Sequence, residues 1–519
     1  MSTIIKLKLV NFKKFKNFEI LFDDKLNLLI GDNEAGKSSI LLGLDLAISA
    51  SKSKVETFGL EALFNTEAIH IFLAGDKKYI NLPKLQIEVY LADQLTPDLN
   101  GKNNSDKIVC DGIRLIIEPI EELNKEIQEI LDQADANFPF EYYSIRFSTF
   151  ADSPYTGFRR YVKHLLIDSS LINNEYATRE YIRTIYNTST KSVERNKYQN
   201  EYRRHKSAFK DGILSDVNKG LTDYEFAIKT NSKSNLETDL TITEDNIAIE
   251  QKGKGRQCFI KTEFALKKNN RTKELDALFL EEPENHLSHL NMRRLITKIK
   301  DSDQKQLFIA THSSLVATRL DLRKAILLNS GFTAPLTLKD IPKDTASFFM
   351  KAPDNNILEF ILSKKVILVE GDAEYILIED LFKTIAGHTP EEANVHIISV
   401  GGTSFKRYLD LAKILKIQTA VIRDNDKDYI ANCVNSYTDY TDKHIKIFSD
   451  TDNNRSTFEI CFYQDNKAIC DEIFGKRKTL TVQEYMLKNK ADAAFSLLDN
   501  CVGKLESPQY IKDAVLWIK

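Results

Sequence analysis

The 519-residue sequence has little of what builds metal or disulfide frameworks. Its six cysteines are scattered and include no Cys-x-x-Cys pair, and its nine histidines include no His-Glu-x-x-His motif. This usage argues against zinc ribbons and disulfide frameworks, and it favours the reducing cytoplasm. No apolar run reaches membrane-spanning length, and the first residues lack the apolar segment of a signal peptide. We therefore expect no membrane partner.

A strong charge excess is also missing, because the formal net charge is only −3. Any contact with nucleic acid must therefore come from a local basic surface. Hydrophobic residues make up 42% and charged residues 28% of the chain, which is typical of a globular protein. A chain of this length is expected to form about two to four domains.

A glycine-rich loop follows directly on the apolar run at residues 27–30. It reads Gly-x-x-x-x-Gly-Lys-Ser from Gly31 to Ser38, and apolar residues at helical spacing come next. Strand, glycine loop and helix are the context of a P-loop, which cradles phosphates with backbone N–H groups. The alternative is a glycine turn with a surface lysine. The predicted ATP-binding residues are Gly31, Asn33, Gly36, Lys37, Ser38 and Ser39, with Lys37 on the phosphates and Ser38 on Mg²⁺.

Two later apolar segments end in residues that suit nucleotide hydrolysis. Residues 277–280 end in Glu281 and Glu282, the Walker B arrangement. Glu281 would hold Mg²⁺ through water, and Glu282 would orient or deprotonate the attacking water. Residues 307–311 end in His312, which is suited to sensing the γ-phosphate. Taken alone, this histidine is better explained as a capping or core residue.

The ordered set of motifs resembles the ABC-type ATPase heads of SMC and RecF proteins. In those heads, two copies sandwich two ATP molecules, and a signature loop of one head covers the nucleotide of the other. Residues 253–257, Gly-Lys-Gly-Arg-Gln, stand where that signature belongs, with Lys254 in place of the usual serine. The resemblance implies that Gly255 and Gln257 contact ATP, and that the protein is a homo-oligomer, either a dimer or a dimer of dimers.

The stretch between the two predicted ATPase segments differs from them in sequence composition. We predict the ATPase in residues 1–168 and 237–350, with a helical insertion at residues 169–236 that serves dimerisation. Between Arg195 and Lys210 the insertion is strongly basic, with Tyr198 and Tyr202 interleaved. A solvated helix face or a dimerisation arm is the simpler interpretation. A contact with the DNA backbone is the alternative.

After a linker near residues 351–355, a fresh pattern of alternating strands and helices predicts a parallel sheet in residues 351–519. One strand ends in Glu370, and a later one is followed by Asp424 and Asp426. Acids at the carboxyl ends of parallel strands converge, and they repel each other unless a cation neutralises them. Carboxylates without histidine or thiolate favour Mg²⁺ or Mn²⁺, which suits two-metal phosphodiester chemistry. Glu374 lies one helical turn beyond Glu370. The alternative for each single acid is a helix cap or a surface turn.

Glu-Gly-x-x-Glu followed by Asp-x-Asp resembles the Toprim fold. A Toprim domain directly after an ABC-type ATPase resembles the OLD (overcoming lysogenisation defect) family, a layout shared by Gabija-type and retron-associated anti-phage nucleases. The resemblance covers essentially the whole chain. It implies an α/β fold, an SMC- or RecF-like P-loop ATPase with a helical insertion and then a Rossmann-like Toprim domain. It further implies Glu459 as an additional ligand and Lys490 as a catalytic lysine.

The resemblance implies a metal-dependent DNA endonuclease that is regulated by ATP and acts in anti-phage defence. Its cofactors are ATP with Mg²⁺ or Mn²⁺, and its partners are DNA and a defence-system protein or retron component. The implied catalytic residues are Glu282, Glu370, Asp424, Asp426 and Lys490. The implied metal ligands are Ser38, Glu281, Glu370, Glu374, Asp424, Asp426 and Glu459. The alternative is a RecF-like DNA-repair ATPase that binds DNA without cutting it. A primase is less well supported, because no zinc-binding cysteine module is present. A topoisomerase is less well supported, because no pattern singles out a catalytic tyrosine among the 20 tyrosines.

Overall fold

A computed structural model describes most of the chain. The described residues are 3–92, 95–133, 135–156, 161–170, 175–229, 235–266, 275–301, 305–328, 334–352, 356–402, 404–475 and 480–519. They form two compact units, one of Met1–His312 and Lys324–Pro335, the other of Ser313–Arg323 and Leu336–Lys519. The second unit thus takes in residues 336–350, which the sequence-based boundary assigned to the ATPase. Residues 353–355 of the predicted linker lie outside the described residues.

The first unit contains both strands and helices. In order they are β1 (Ile4–Phe12), β2 (Phe15–Leu21), β3 (Leu26–Gly31), β4 (Leu85–Leu91), β5 (Asn100–Gly101), β6 (Cys110–Pro119), β7 (Tyr143–Thr149), β8 (His164–Asp168), β9 (Thr243–Glu244), β10 (Ile247–Ala248), β11 (Ala277–Glu281), β12 (Gln306–Thr311) and β13 (Ala325–Leu328). The helices are α1 (Lys37–Ser49), α2 (Lys52–Phe58), α3 (Leu60–Leu63), α4 (Thr66–Ala74), α5 (Asn124–Leu131), α6 (Glu175–Ser189), α7 (Ser192–Gly212), α8 (Ser215–Asn218), α9 (Leu236–Asp239), α10 (Lys254–Leu266) and α11 (His289–Lys300).

The second unit has its own strands and helices. The strands are β14 (Leu336–Thr337), β15 (Lys365–Val369), β16 (Val395–Ser399), β17 (Gln418–Ile422) and β18 (Ile445–Phe448). The helices are α12 (Ser314–Leu320), α13 (Lys343–Lys351), α14 (Ile357–Leu362), α15 (Asp372–Ala386), α16 (Phe405–Leu415), α17 (Phe458–Asp465), α18 (Lys467–Phe474), α19 (Val482–Lys488), α20 (Lys490–Cys501) and α21 (Gln509–Ile518). In the part of the chain that the structure describes, no helix is long and apolar enough to cross a membrane.

Two sheets build the first unit. The antiparallel sheet runs in the order β2-β1-β4-β6, with β5 and β7 both paired to β6. The parallel sheet includes β13-β3-β12-β11-β8. Its strands β3, β11 and β12 are continuous apolar runs, as expected for parallel strands that are buried on both faces. In register, Thr311 pairs with Ile30 and Glu281 with Ala310. The P-loop, the Walker B acids and His312 therefore leave the sheet at the same edge.

The sheet of the second unit is parallel throughout and runs in the order β16-β15-β17-β18. Leu368 of β15 pairs with Val421 of β17, so Glu370 and Asp424 follow the ends of adjacent strands. The convergence predicted for these two acids is confirmed. A buried apolar core that includes Leu377, Phe382 and Phe462 supports this edge.

The predicted insertion is helical over α6, α7 and α8. Three side chains of its basic stripe pair with carboxylates of the insertion or of α9 just after it. Arg204 lies 2.5 Å from Glu201, Lys206 lies 3.3 Å from Asp239, and Lys210 pairs with Glu225. Internal neutralisation of these side chains weakens the case for a contact with the DNA backbone.

Candidate functional site

The P-loop turns sharply into helix α1. Gly36 has a left-handed backbone with φ of 97°, and a Cβ there would lie 2.4 Å from the Phe15 ring. Only glycine fits this position. Since Gly36 has no side chain to cap the helix, the first N–H groups of α1 remain available for an anion. Both features fit the phosphates of a nucleotide.

Lys37 is the cation of this loop, and its residue is only 5% exposed. Its Nζ donates to the carbonyl oxygens of Gly31 and Asp32, at 2.8 and 3.0 Å. Burial lowers the pKa of Lys37, while the nearby carboxylates of Glu282 and Asp32 act in the opposite direction. An anionic phosphate beside this partly desolvated ammonium would stabilise its charged form.

Glu281 ends strand β11 and faces the P-loop. The nearby Ser38 hydroxyl acts to lower the pKa of its carboxylate, so the two predicted Mg²⁺ ligands are neighbours. Burial raises the pKa of Glu281, and the negative charges of Asp168 and Glu282 raise it further. Asp168, at the end of β8 and level with Glu281, is an acid that the sequence interpretation missed. An excess of buried carboxylate oxygen of this kind fits Mg²⁺.

Glu282 has a left-handed backbone with φ of 44° and lies between two side chains. Asn285 Nδ2 donates to its Oε2 at 2.8 Å, and His312 Nε2 lies 3.3 Å from its Oε1. The predicted base and the predicted γ-phosphate sensor are therefore neighbours. Glu284, which the sequence interpretation left without a role, accepts from the Thr311 hydroxyl at 2.5 Å and the His312 N–H at 2.9 Å. The sequence feature that could have indicated a role for Glu284 is its position inside the acidic run after β11.

The predicted signature residues begin helix α10 and contact their own unit. A Cβ on Gly255 would lie 2.1 Å from the carbonyl oxygen of His286, so glycine allows a close backbone approach there. Gln257 Nε2 donates to the carbonyl oxygen of Lys252 at 2.8 Å. The contact of Gly255 and Gln257 with a nucleotide of a second copy stays a prediction.

Four carboxylates, three of them buried and that of Glu370 partly buried, gather at the carboxyl edge of the second sheet. Glu370 and Asp424 follow β15 and β17, while Glu374 and Glu459 lie in the first turns of α15 and α17. The Phe458 N–H donates to Asp424 Oδ1 at 2.7 Å and thereby orients that carboxylate. The Glu459 residue is only 2% exposed. The sequence-derived ligands Glu370, Glu374, Asp424 and Glu459 therefore occupy one neighbourhood, which is buried except at Glu370.

Burial and mutual repulsion favour the protonated forms of these acids. Burial raises the pKa of Glu374 to about 7, with Glu459 and Glu370 adding to the effect. Burial also raises the pKa of Asp424 to about 8, with contributions from Glu374, Glu370 and Glu459. The pKa of Glu370 is raised by burial and then by Asp426. Because the groups interact, they titrate as a set.

Two cations of the chain contact this acidic neighbourhood. Lys490 Nζ lies 2.9 Å from Glu459 Oε1, so the two residues are adjacent. Burial opposes the charge of Lys490, but the bond to Glu459 prevails and raises its pKa. Arg423 donates to the carboxylate of Asp426 at 3.0 Å. The Asp426 side chain is half exposed, in contrast to the buried Glu374, Asp424 and Glu459.

The donors suit a hard divalent cation, because they are carboxylate oxygens. Within the described part of the chain, the Oε2 atom of Glu370 is buried without a hydrogen-bond partner, and so is the Oε2 atom of Glu459. Such orphaned oxygens are unfavourable without a ligand. Among the described residues, no three acidic, histidine or cysteine side chains already form a closed ligand set. The carboxylates would therefore have to move closer together to bind the ion.

We expect the metal-free protein to lose stability as the pH rises. The folded-state pKa values of Glu374 and Asp424, about 7 and about 8, exceed the unfolded value of about 4. The folded state therefore binds protons more tightly, and the free energy of unfolding falls as the pH rises from about 4 through about 8. Asp424→Asn removes one such group but keeps the acceptor for the Phe458 N–H.

Thermal unfolding in EDTA at pH 5, 7 and 9 measures this effect. The Tm of Asp424→Asn should exceed that of the wild type by on the order of 5 °C at pH 9 and by little at pH 5. Adding Mn²⁺ at pH 9 should raise the Tm of the wild type more than that of the variant. A Tm difference that is the same at every pH would contradict the expectation.

Comparison with protein families agrees with this geometry. The model described as an AAA ATPase domain matches residues 3–317, which is more than half of the chain. The model described as the TOPRIM domain of overcoming lysogenization defect protein-like sequences matches residues 361–426. This second match contains Glu370, Glu374, Asp424 and Asp426, whereas Glu459 and Lys490 lie beyond it.

Individual relatives match over parts of the chain. A stretch of 98 residues is 34% identical to the DNA replication and repair protein RecF of Clostridium kluyveri, over 16% of this chain and 27% of that protein. A stretch of 173 residues is 25% identical to the Old nuclease of Escherichia phage P2, over 31% of this chain and 29% of that protein. This chain thus spans less than a third of each curated relative.

Among solved structures, the C-terminal region of the Burkholderia pseudomallei OLD protein matches at 20% identity with a TM-score of 0.21. The match covers 30% of this chain and 97% of that chain. The family resemblance drawn from the motifs is confirmed by the two family models together. The chain belongs to the OLD (overcoming lysogenization defect) family and carries an AAA ATPase domain followed by a Toprim domain.

Proposed function

We propose that this protein is a divalent-metal-dependent DNA endonuclease whose cutting is regulated by ATP. The observation that carries the proposal is the cluster of buried Glu374, Asp424 and Glu459 beside partly buried Glu370, with Lys490 against Glu459. Gathering these carboxylates in one place is unfavourable for folding unless they serve a ligand. A strained or destabilised cluster of this kind is typical of a functional site.

Glu370, Glu374, Asp424 and Glu459 would hold the divalent cation, with Asp426 at the margin of the site. Divalent metal held by these residues would supply Lewis-acid chemistry, namely activation of water and stabilisation of the leaving oxygen of a phosphodiester. Lys490 would leave Glu459 as the carboxylates turn to the cation, and its ammonium would donate to the scissile phosphate. The Phe458 N–H keeps Asp424 aimed into the site throughout.

In the ATPase domain, Lys37 would contact the β- and γ-phosphates, and Ser38 with Glu281 would hold Mg²⁺. Glu282 would orient the attacking water from between Asn285 and His312. Glu284 fixes the backbone of His312 relative to the Walker B segment. The residues that would respond to hydrolysis, Glu282 and His312, thus lie just after the ends of β11 and β12.

A DNA-repair ATPase that binds DNA without cutting it is the second candidate. The similarity to the Clostridium kluyveri RecF protein favours it. In that case the buried acids of the second unit would have only a structural role. The orphaned oxygen of Glu370 argues against this, because a structural carboxylate gains its stability from hydrogen bonds or ion pairs.

A cleavage assay on supercoiled plasmid separates the candidates. The full chain is incubated with EDTA, Mg²⁺ or Mn²⁺, with and without ATP. The endonuclease proposal expects nicked or linear DNA with either metal and none with EDTA. The RecF-like alternative expects intact plasmid in every lane and a mobility shift only. Relaxed closed circles without strand breaks would instead indicate a topoisomerase.

The proposal includes a homo-oligomer, either a dimer or a dimer of dimers. Phe209, Ile213 and Val217 follow one another at four-residue spacing along α7 and into α8, and all three are exposed. They span the junction between the end of α7 and α8, and exposed apolar side chains close together in the chain favour association. Ile213 is 66% exposed and lies in the middle of the three.

The substitution Ile213→Asp is expected to lower the molar mass measured by light scattering at micromolar concentration. A buried charge in the interface would oppose association. Leu516→Asp, at an exposed apolar position of α21, is the matched control and should keep the mass of the wild type. A wild-type protein that is already a monomer would contradict the proposed assembly.

The role in anti-phage defence rests on family membership. It includes a partner protein or retron component of the same defence system. Plaque counts on cells that carry the wild type or Asp424→Asn would test it. Equal plaque numbers for the two would remove the defence role while leaving the nuclease chemistry intact.

A further inference from the structure

Arg423 directly precedes Asp424 and lies beside the proposed metal site. We propose that Arg423 is a positioning residue, a buried counter-ion that holds Asp426 and fixes the catalytic turn while weakening the binding of the divalent cation. The inference rests on the proposed nuclease function. It gives a distinct role to an arginine that no motif singles out.

The guanidinium of Arg423 joins three parts of the second unit. Nε donates to the Asp424 carbonyl oxygen at 2.9 Å, and Nη2 donates to Asp426 Oδ2 at 3.0 Å. Nη1 donates to the carbonyl oxygen of Asn432 at 3.1 Å and to the Tyr437 hydroxyl at 3.2 Å. The residue is 8% exposed. One side chain thus links the end of β17, the following turn and the segment around 430–437.

The turn that Arg423 spans has an unusual backbone. Asp426 and Lys427 are both left-handed, with φ of 50° and 68°. Such conformations are unfavourable for residues other than glycine and persist only when surrounding bonds hold them. The bonds from Arg423 provide part of that hold, and Asn425 Nδ2, which donates to the carbonyl oxygens of Asp450 and Asp452, provides another part.

The charge of Arg423 acts against cation binding in two ways. One oxygen of Asp426 is engaged by the guanidinium and is therefore less available as a ligand. The positive charge also reaches the neighbouring carboxylates, since it lowers the pKa of Glu370 against the effect of burial. A fixed positive charge beside the site repels a divalent ion. Both effects weaken the binding of the cation, so loss of the charge should strengthen it.

Calorimetric titration of the full metal-free chain with Mn²⁺ alone tests the inference. Arg423→Met is expected to bind Mn²⁺ about tenfold tighter than the wild type or more. Arg407→Met is the matched control, because Arg407 is also in the second unit and pairs with Asp344 and Thr345. It removes the same charge and should leave Mn²⁺ affinity unchanged. Affinity in Arg423→Met that is equal to or weaker than in the wild type overturns the inference.

Arg423→Lys keeps the positive charge but lacks the forked guanidinium with its several donors. This variant provides the test if Arg423→Met does not fold. One ammonium cannot reach Asp426, Asn432 and Tyr437 together. We expect Mn²⁺ affinity within about twofold of the wild type and a kcat for DNA cleavage lowered about tenfold, without a matching change in KM. Tighter Mn²⁺ binding in this variant, or an unchanged kcat, overturns the inference.

Asp424→Asn separates failure of the inference from failure of the proposed function. If this variant loses Mn²⁺ binding while Arg423→Met binds as the wild type does, the metal site stands and the role of Arg423 is wrong. If Asp424→Asn binds Mn²⁺ as tightly as the wild type does, the proposed metal site itself is wrong, and the inference falls with it.

Discussion

The substitution Asp424→Asn is expected to lower the rate of metal-dependent DNA cleavage by about a thousandfold or more. Asn keeps the size of the side chain and the acceptor for the Phe458 N–H, so the local fold should be preserved. It removes the negative charge that a divalent cation requires among Glu370, Glu374 and Glu459. The loss should appear in kcat at saturating Mn²⁺, because a weakened site alone is compensated by more metal.

Glu370→Gln should have a similar effect, since its Oε2 is a buried oxygen without a hydrogen-bond partner. Glu379→Gln is the matched control, because Glu379 is an exposed acid of helix α15, which begins two residues after Glu370. It should cleave plasmid at the wild-type rate. Wild-type cleavage by both Asp424→Asn and Glu370→Gln would show that the cutting centre lies elsewhere.

Much of the candidate site could be predicted from local pattern. An apolar run that ends abruptly in an acid or a glycine loop indicates a buried parallel strand and its carboxyl edge. This rule brought Glu281 and His312 to one sheet edge, and Glu370 and Asp424 to another. Glu459 and Lys490 came only from the family resemblance. Nothing in their spacing indicates that their side chains lie 2.9 Å apart.

Other features depend on partners that are distant in the chain, and local pattern does not reveal them. Lys206 pairs with Asp239, 33 residues away, so the basic stripe of the insertion looked more available in the sequence than it is. Arg423 appeared as an ordinary residue between a strand and Asp424. Its role depends on Asn432 and Tyr437, which reach it through the fold.

Lys37→Ala is expected to lower ATP affinity about a hundredfold and to abolish any effect of ATP on DNA cleavage. The ammonium lies under the P-loop, bonded to the carbonyl oxygens of Gly31 and Asp32, and Ala offers nothing to replace it. If ATP regulates the nuclease, the two sites share a coupling free energy of about 1–3 kcal/mol, which is a change of about 5- to 150-fold in cleavage. The variant should show no such change.

Cleavage is measured with Mn²⁺ alone, with added ATP and with an ATP analogue that cannot be hydrolysed. Lys52→Ala is the control, because Lys52 is an exposed lysine just beyond α1, and it should respond to ATP as the wild type does. An effect of the analogue equal to that of ATP assigns the regulation to binding, whereas an effect of ATP alone assigns it to hydrolysis at Glu282. If wild type and Lys37→Ala cleave equally under every nucleotide condition, the ATPase domain does not regulate the cut. Lys37 then serves some other step, and the buried acids of the second unit act independently.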